Sequence, residues 1–268
     1  MLYNAHSGSV PLDGTEMEYA CFGTGNRNLI VIPGLSDGLA TVKGMTMALL
    51  PPYIKYLKDW TVYMFSRKNR MPEGYSIRDM AADQARVLEK LGIKRTSVLG
   101  VSQGGMIAQY LAADYPDLVE KLVIVVSAPY VNGMIEDNIQ KWMEDVQRND
   151  HKALMIDTAE ASYTEAYLKK YRKAYPLLGH VGKPKNYERF IRNAEAIRGF
   201  DAREALKSIR CPVYIIGAQQ DRIVGVQSSQ ELHEAIPGST LFIHPDYGHG
   251  MNDEDKEFYS RIFSYLEQ

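Results

Sequence analysis

VLGVSQGGM, residues 98–106, sets one serine, Ser102, among three glycines, Gly100, Gly104 and Gly105. The run into it, TSVLGV at 96–101, reads as a buried strand, and residues 103–114 read as a helix. Between them GVSQG fits the pattern G-x-S-x-G. That pattern describes a very tight turn with the serine at its apex, in a strained backbone conformation, and its hydroxyl pushed clear of the sheet. The positions two before and two after the serine must be small because the turn brings them together. Gly105 then lets the helix pack close to neighbouring backbone. By itself the pentapeptide turns up by chance in about one chain in ten of this length. Its setting between a strand and a helix raises its weight.

Outward from the turn the chain alternates strand and helix. Short apolar or β-branched runs at 28–34 (NLIVIPG), 60–65 (WTVYMF), 122–127, 213–217 and 240–244 read as strands. Residues 15–22 read as half of an N-terminal strand pair. Residues 76–91 (SIRDMAADQARVLEKL) are the clearest helix: Ile77, Met80, Ala81, Gln84, Val87, Leu88 and Leu91 share one face, Ser76 caps the start, and Gly92 ends it. Residues 45–58 carry helical spacing broken by Pro51-Pro52, and a last helix is expected over about 254–266. The alternation implies an α/β architecture, a mostly parallel sheet of about eight strands covered by helices on both faces. Residues 130–205 interrupt it: they are charged, tyrosine-rich and helical in pattern. They read as a cap inserted between strands, with 1–129 and 206–268 forming the core.

A serine hydroxyl is a poor nucleophile until a base takes its proton, and histidine is the usual base. Of six histidines, His6, His151, His180, His233 and His244 fall at the terminus, in the helical insert, on a surface helix or inside a strand. His249 lies in DYGHGM, a glycine-flanked loop after the last strand, at the end where open α/β sheets place their sites. The carboxylate to orient it is Asp221, just after the strand in IIGAQQDRIV; Asp246 is the runner-up. Ser102, Asp221 and His249 run in the chain order expected when the serine sits on such a turn.

Bulk properties remove several classes. Net charge is -2, with 45% hydrophobic and 24% charged residues, so neither nucleic acid nor an anionic membrane has a global electrostatic case. Arg67-Lys68-Asn69-Arg70 reads as a solvated loop. Cys21 and Cys211 form neither a metal-ligand spacing nor a disulfide framework. No metal and no cofactor are expected. MLYNAHSGSVPLDG lacks the pattern of a secretory signal, no apolar run is long enough to span a membrane, and a cytoplasmic location is expected.

Together IPGLSDG, GVSQGG, IIGAQQDRIV and YGHGMND make the chain resemble the α/β-hydrolases of the capped, single-domain kind, over nearly its whole length. The resemblance implies an oxyanion hole formed by the backbone N–H groups of Gln103 and Leu35, whatever their side chains. Pro33 stands where many relatives carry a histidine, and FSRKNRMPEGYS replaces their Asp-x-x-Gly-x-Gly loop. Serine at the nucleophile position speaks against dehalogenase or epoxide hydrolase chemistry.

The expected activity is a serine hydrolase cleaving a small-molecule carboxylic ester, thioester or lactone through an acyl-enzyme. C–C bond hydrolysis, aminopeptidase or perhydrolase activity on the same triad, and a non-catalytic binding protein, are the alternatives. An aminopeptidase needs cap carboxylates such as Glu160, Glu165 or Glu195 to hold an amine. Ser36, Trp142, Tyr163 and Tyr167 are the expected pocket residues; Tyr163, Tyr167 and Tyr171, four apart, share a helical face that either lines the cap or packs it onto the body. The expected partner is a small ester-like molecule, and a homodimer is left open.

Overall fold

The computed structural model describes residues 2–268, the side chain of Leu2 excepted; Met1, at the head of the expected core segment, lies outside them. Eight strands run in chain order: β1 (His6–Leu12), β2 (Thr15–Gly23), β3 (Arg27–Ile32), β4 (Trp60–Lys68), β5 (Thr96–Val101), β6 (Val119–Val125), β7 (Val213–Ala218) and β8 (Thr240–His244). They form one sheet in the order β1-β2-β4-β3-β5-β6-β7-β8. β2 pairs antiparallel with β1 and β4; every other pair is parallel. The inner parallel strands β5, β6 and β7 read as nearly continuous apolar runs because both their faces are buried. On β3, Ile30 and Ile32 face one hydrophobic cluster and Leu29 and Val31 the other, the alternation a pleated strand imposes.

The helices are α1 (Thr46–Leu49), α2 (Ile77–Lys90), α3 (Gln103–Asp114), α4 (Gly133–Gln147), α5 (His151–Ser162), α6 (Glu165–Tyr171), α7 (Glu188–Arg198), α8 (Arg203–Leu206), α9 (Val226–Ala235), α10 (Met251–Glu254) and α11 (Phe258–Leu266). α2 starts on a reciprocal capping box: Ser76 Oγ accepts from Asp79 N–H at 3.1 Å and Asp79 Oδ2 accepts from Ser76 N–H at 2.9 Å. Its apolar stripe packs against the sheet, and Gly92, at φ +71°, turns the chain away after it.

Two elements differ from expectation for local reasons. Pro51 and Pro52 split residues 45–58 into the single turn α1 and a 3₁₀ segment, Pro51–Tyr56. The C-terminal helix begins at Phe258, after the separate turn α10.

A larger correction concerns β4. It runs on through Lys68, so the basic stretch expected in solvent begins inside the sheet, with Arg67 2% and Lys68 4% exposed. Burying a charge requires partners. Lys68 Nζ lies 3.4 Å from both Asp83 Oδ2 and Asp13 Oδ2. Arg67 reaches Asp37, Pro33 and Gln103.

Between β6 and β7 stand α4 to α8. The ends of this stretch meet: Tyr130 and Asp201 form an isolated bridge, Ala202 N–H donates to Pro129 O at 2.8 Å and Val131 N–H to Phe200 O at 3.3 Å. No helix among the described residues is long and apolar enough to cross a membrane.

Candidate active site

Ser102 stands between β5 and α3 at φ +55°, a region that costs a non-glycine residue about 1–3 kcal/mol. Surrounding bonds hold it there. Its N–H donates to Val125 O at 2.9 Å, while its carbonyl accepts from Ser127 Oγ at 2.8 Å and Gly105 N–H at 2.8 Å. The glycines leave the room this turn needs. A Cβ on Gly100 would stand 2.5 Å from Gly104 O, and one on Gly104 would stand 1.9 Å from Ile32 O. Gly100 therefore admits the backbone of α3, and Gly104 that of β3 and the turn after it. Gly105 faces the Ser127 side chain instead, its Cβ position 2.6 Å from Ser127 Cβ.

His249 follows β8 and Asp221 follows β7, both at the C-terminal ends of parallel strands. The structure brings them to Ser102. Ser102 Oγ and His249 Nε2 are 2.9 Å apart, and His249 Nδ1 and Asp221 Oδ2 are 2.9 Å apart. A carboxylate only accepts, so the ring proton sits on Nδ1 and Nε2 is free to accept from the serine hydroxyl. Asp221 is 6% exposed, and its other oxygen accepts from Ile223 N–H at 2.8 Å and Val224 N–H at 3.0 Å. Burial works to raise its carboxyl. The charge and hydrogen bond of His249 and those two N–H donors outweigh it, and hold the carboxyl below the usual carboxylate range. Asp246 is exposed; His244 sits in β8 with its ring 4.2 Å from that of Tyr247.

Leu35 opens a short 3₁₀ turn after β3, and Gln103 is the first residue of α3. First-turn N–H groups have no acceptor within their own helix. Gly34 brings the first turn against Ser102: its Cβ position is 3.3 Å from Ser102 Cβ. Arg67 Nη2 donates to Pro33 O at 2.6 Å and to Gln103 Oε1 at 2.8 Å. Burial pulls the Arg67 guanidinium down to about 10, the Asp37 charge opposing this and Arg189 adding to it. It stays charged at neutral pH. Sequence reading missed Arg67 and Asp37, because their partners are at least 30 residues away along the chain.

Ser102 and His249 open onto a cavity of about 530 Å³. From the helical stretch it takes Ile135, Ile139, Trp142, Met155 and Phe190; from the other face of the sheet, Val31, Tyr53, Met64 and Leu99. Leu35, Ser36 and Tyr163 are on its wall, and among the described residues Asp253 is the one carboxylate there, accepting from Tyr163 Oη at 2.6 Å. Tyr167 is not on the wall. Tyr163 precedes α6 rather than sharing its face, and the rings of Tyr163, Tyr167 and Tyr171 stack in series, 4.6 and 4.3 Å between centroids, leading away from the cavity.

Glu160, Glu165 and Glu195 are also absent from the wall. Glu160 and Glu165 both bind Arg172, and Glu195 binds Arg192. Hydrogen bonding to Arg172, against a smaller effect of burial, holds Glu160 down at about 2. A carboxyl depressed in the folded state stabilises it above the unfolded value of about 4.3, and that contribution disappears as pH falls through the folded value. The urea midpoint of the native chain should therefore drop further between pH 5 and 2.5 than that of Glu160→Gln. Parallel curves would show that this pair adds nothing.

A family profile described as alpha/beta hydrolase fold matches residues 56–256. The chain belongs to the α/β-hydrolase fold family. Among curated relatives, this α/β hydrolase is 30% identical over 227 residues to "Putative carbamate hydrolase RutD" of Cronobacter sakazakii, covering 78% of this chain and 81% of that protein. Among solved structures it resembles the enol-lactonase from Burkholderia xenovorans LB400, with TM-score 0.80 and 21% identity over 97% of this chain and all of that one. It also resembles MGS-M2, an α/β-hydrolase enzyme from a Medee basin deep-sea metagenome library, with TM-score 0.83 and 20% identity over 97% of this chain and 98% of that one. At these identities the two structural likenesses speak for the fold.

Proposed function

We propose that this α/β hydrolase is a serine hydrolase that cleaves an uncharged, largely apolar carboxylic ester, thioester or lactone. The observation that carries the proposal is the unbroken chain Ser102–His249–Asp221 opening on an apolar cavity. His249 Nε2 takes the hydroxyl proton as Ser102 Oγ attacks the substrate carbonyl. The backbone N–H groups of Leu35 and Gln103 receive the oxyanion. Asp221 keeps the histidine tautomer and stabilises the imidazolium. His249 then protonates the leaving alcohol or thiol, and water activated by the same nitrogen frees the acid. The helices between β6 and β7 act as the cap that selects the substrate, through Ile135, Ile139 and Trp142 on the cavity wall.

The relative described as a carbamate hydrolase favours a second reading, carbamate cleavage by the same groups. Cavity size and lining weigh against a small polar carbamate as the best substrate, since most of a 530 Å³ apolar space would be left unfilled. An amine-recognising peptidase loses its anchors, because the cap carboxylates are turned to arginines.

The test is a series of p-nitrophenyl esters from acetate to octanoate, run beside an alkyl carbamate. kcat/KM should rise at least about tenfold from acetate to hexanoate. That needs only about 1.4 kcal/mol, less than the burial of two methylenes. A best rate on acetate or on the carbamate would overturn the apolar-substrate reading.

A further inference from the structure

Arg67 takes no part in the proton relay, yet it is tied to both loops that carry the proposed oxyanion donors. Its Nη2 reaches Pro33 O at 2.6 Å, two residues before Leu35, and Gln103 Oε1 at 2.8 Å, on the residue whose own N–H is the second donor. Asp37, in the Leu35 turn, closes the other side. Its Oδ2 accepts from Arg67 N–H at 2.9 Å and from Arg189 Nη2 at 2.5 Å. From α7, Arg189 Nη2 also donates to Arg67 O at 3.0 Å, and Asn193 O accepts from Gln103 Nε2 at 2.9 Å. The cluster is buried at a cost: Asp37 Oδ1, Arg67 Nε, Arg189 Nε and Asn193 Oδ1 have no hydrogen-bond partner among the described residues. Buried ion clusters are a poor source of stability compared with apolar packing. What this one supplies is geometry, because a planar guanidinium holds two acceptors at a fixed separation.

We propose that Arg67 is a positioning residue that sets the spacing between the Leu35 and Gln103 N–H groups, with Asp37, Arg189 and the Gln103 side chain holding it in place. The inference rests on the serine hydrolase reading. It predicts that loss of Arg67 weakens transition-state binding and leaves substrate binding nearly intact.

The experiment compares the native chain with Arg67→Met and Arg67→Lys. Two readouts are used: p-nitrophenyl hexanoate kinetics, and the rate at which an alkyl fluorophosphonate labels Ser102. Both variants should lose about 10- to 100-fold in kcat and in labelling rate, the scale expected when an oxyanion donor is misplaced rather than removed. KM should stay within about threefold. Lysine should fail almost as badly as methionine, since its freely rotating ammonium keeps the charge but not the two N–H bonds that the guanidinium plane fixes on Nη2. A labelling rate and kcat within threefold of native in either variant, or a raised KM at unchanged kcat, would overturn the inference. If Arg67→Met does not fold, Gln103→Leu cuts the same bond while keeping its backbone N–H, and should give the same signature; an unchanged kcat there also overturns it. A native chain that neither cleaves the ester nor takes the label sinks the serine hydrolase reading and this inference with it. A labelled native chain with equally labelled variants sinks this inference alone.

Discussion

Ser102→Ala should lower kcat for p-nitrophenyl hexanoate by about 10⁵- to 10⁶-fold while leaving the thermal midpoint within a few degrees of native. In the proposed mechanism Ser102 is the nucleophile, so its removal abolishes the covalent route and leaves only what binding and the proposed oxyanion donors supply, a residual of about 10³–10⁴ over the uncatalysed reaction. The fold should tolerate the change, because the hydroxyl's partner is His249 and the bonds that hold the turn are made by the Ser102 N–H and carbonyl. Alanine at φ +55° meets the same strain as serine. His249→Ala should lose nearly as much, and the double variant little more than either alone, since the proposed mechanism makes the two groups one unit. Steady-state rates on purified protein, with circular dichroism to confirm folding, would decide this. Residual activity above about 1% of native in Ser102→Ala would point to another nucleophile.

Gly104→Ala should cost about 4 kcal/mol of stability, near the top of the range for a single substitution and a large part of the 5–15 kcal/mol a domain this size has to lose. The new Cβ would meet Ile32 O at 1.9 Å, the Ile32 carbonyl carbon at 2.6 Å and Pro33 O at 2.7 Å. All three are backbone atoms of β3 and the turn after it, so no side-chain rotation relieves the clash. α3 would have to withdraw from β3, carrying Gln103 away from Leu35, and hydrolysis should fall along with stability. Gly133→Ala is the matching control. No heavy atom lies within 4 Å of its Cβ position, and at the first residue of α4 alanine favours the helix. Urea unfolding of both variants checks the pair. A Gly104→Ala midpoint equal to that of Gly133→Ala would show that the close contact between α3 and β3 is not required.

The elements most legible in the sequence were those decided within a few residues of themselves. β5 ends and α3 begins where a β-branched run, a serine and two glycines say they should, and α2 begins at a side-chain cap and ends at a glycine. Local conformational preference and the period of apolar residues suffice there, because the interactions that terminate the element lie inside it. Ser102, Asp221 and His249 could be named for a related reason. Strands that all point one way deliver their C-terminal loops to one edge of the sheet, so position after a strand substitutes for distance. Their approach to 2.9 Å was a matter for the fold.

Other features were settled only by tertiary contact. Arg67 and Lys68 carry the composition of a solvated loop, and nothing within several residues contradicts it. Their burial depends on Asp37, Gln103 and Asp83, which reach them only after β3, β4, β5 and α2 have packed together. Asp83 likewise sits among the charges of α2, yet Tyr75 Oη donates to it at 2.7 Å and Lys68 lies beside it. The tyrosines at 163, 167 and 171 do not share the helical face their spacing of four suggests, since Tyr163 lies before α6; their stack, and its direction away from the cavity beyond Tyr163, are set by where α5 and α6 meet α10. Sequence by itself determined the alternation of strand and helix, the serine turn and which strand ends carry its partners, because short-range sterics and hydrophobic period act before the chain is folded. The tertiary structure decided which charges leave water and which aromatic rings line the cavity, because the free energy of burying a charge or a ring belongs to partners far away in the chain.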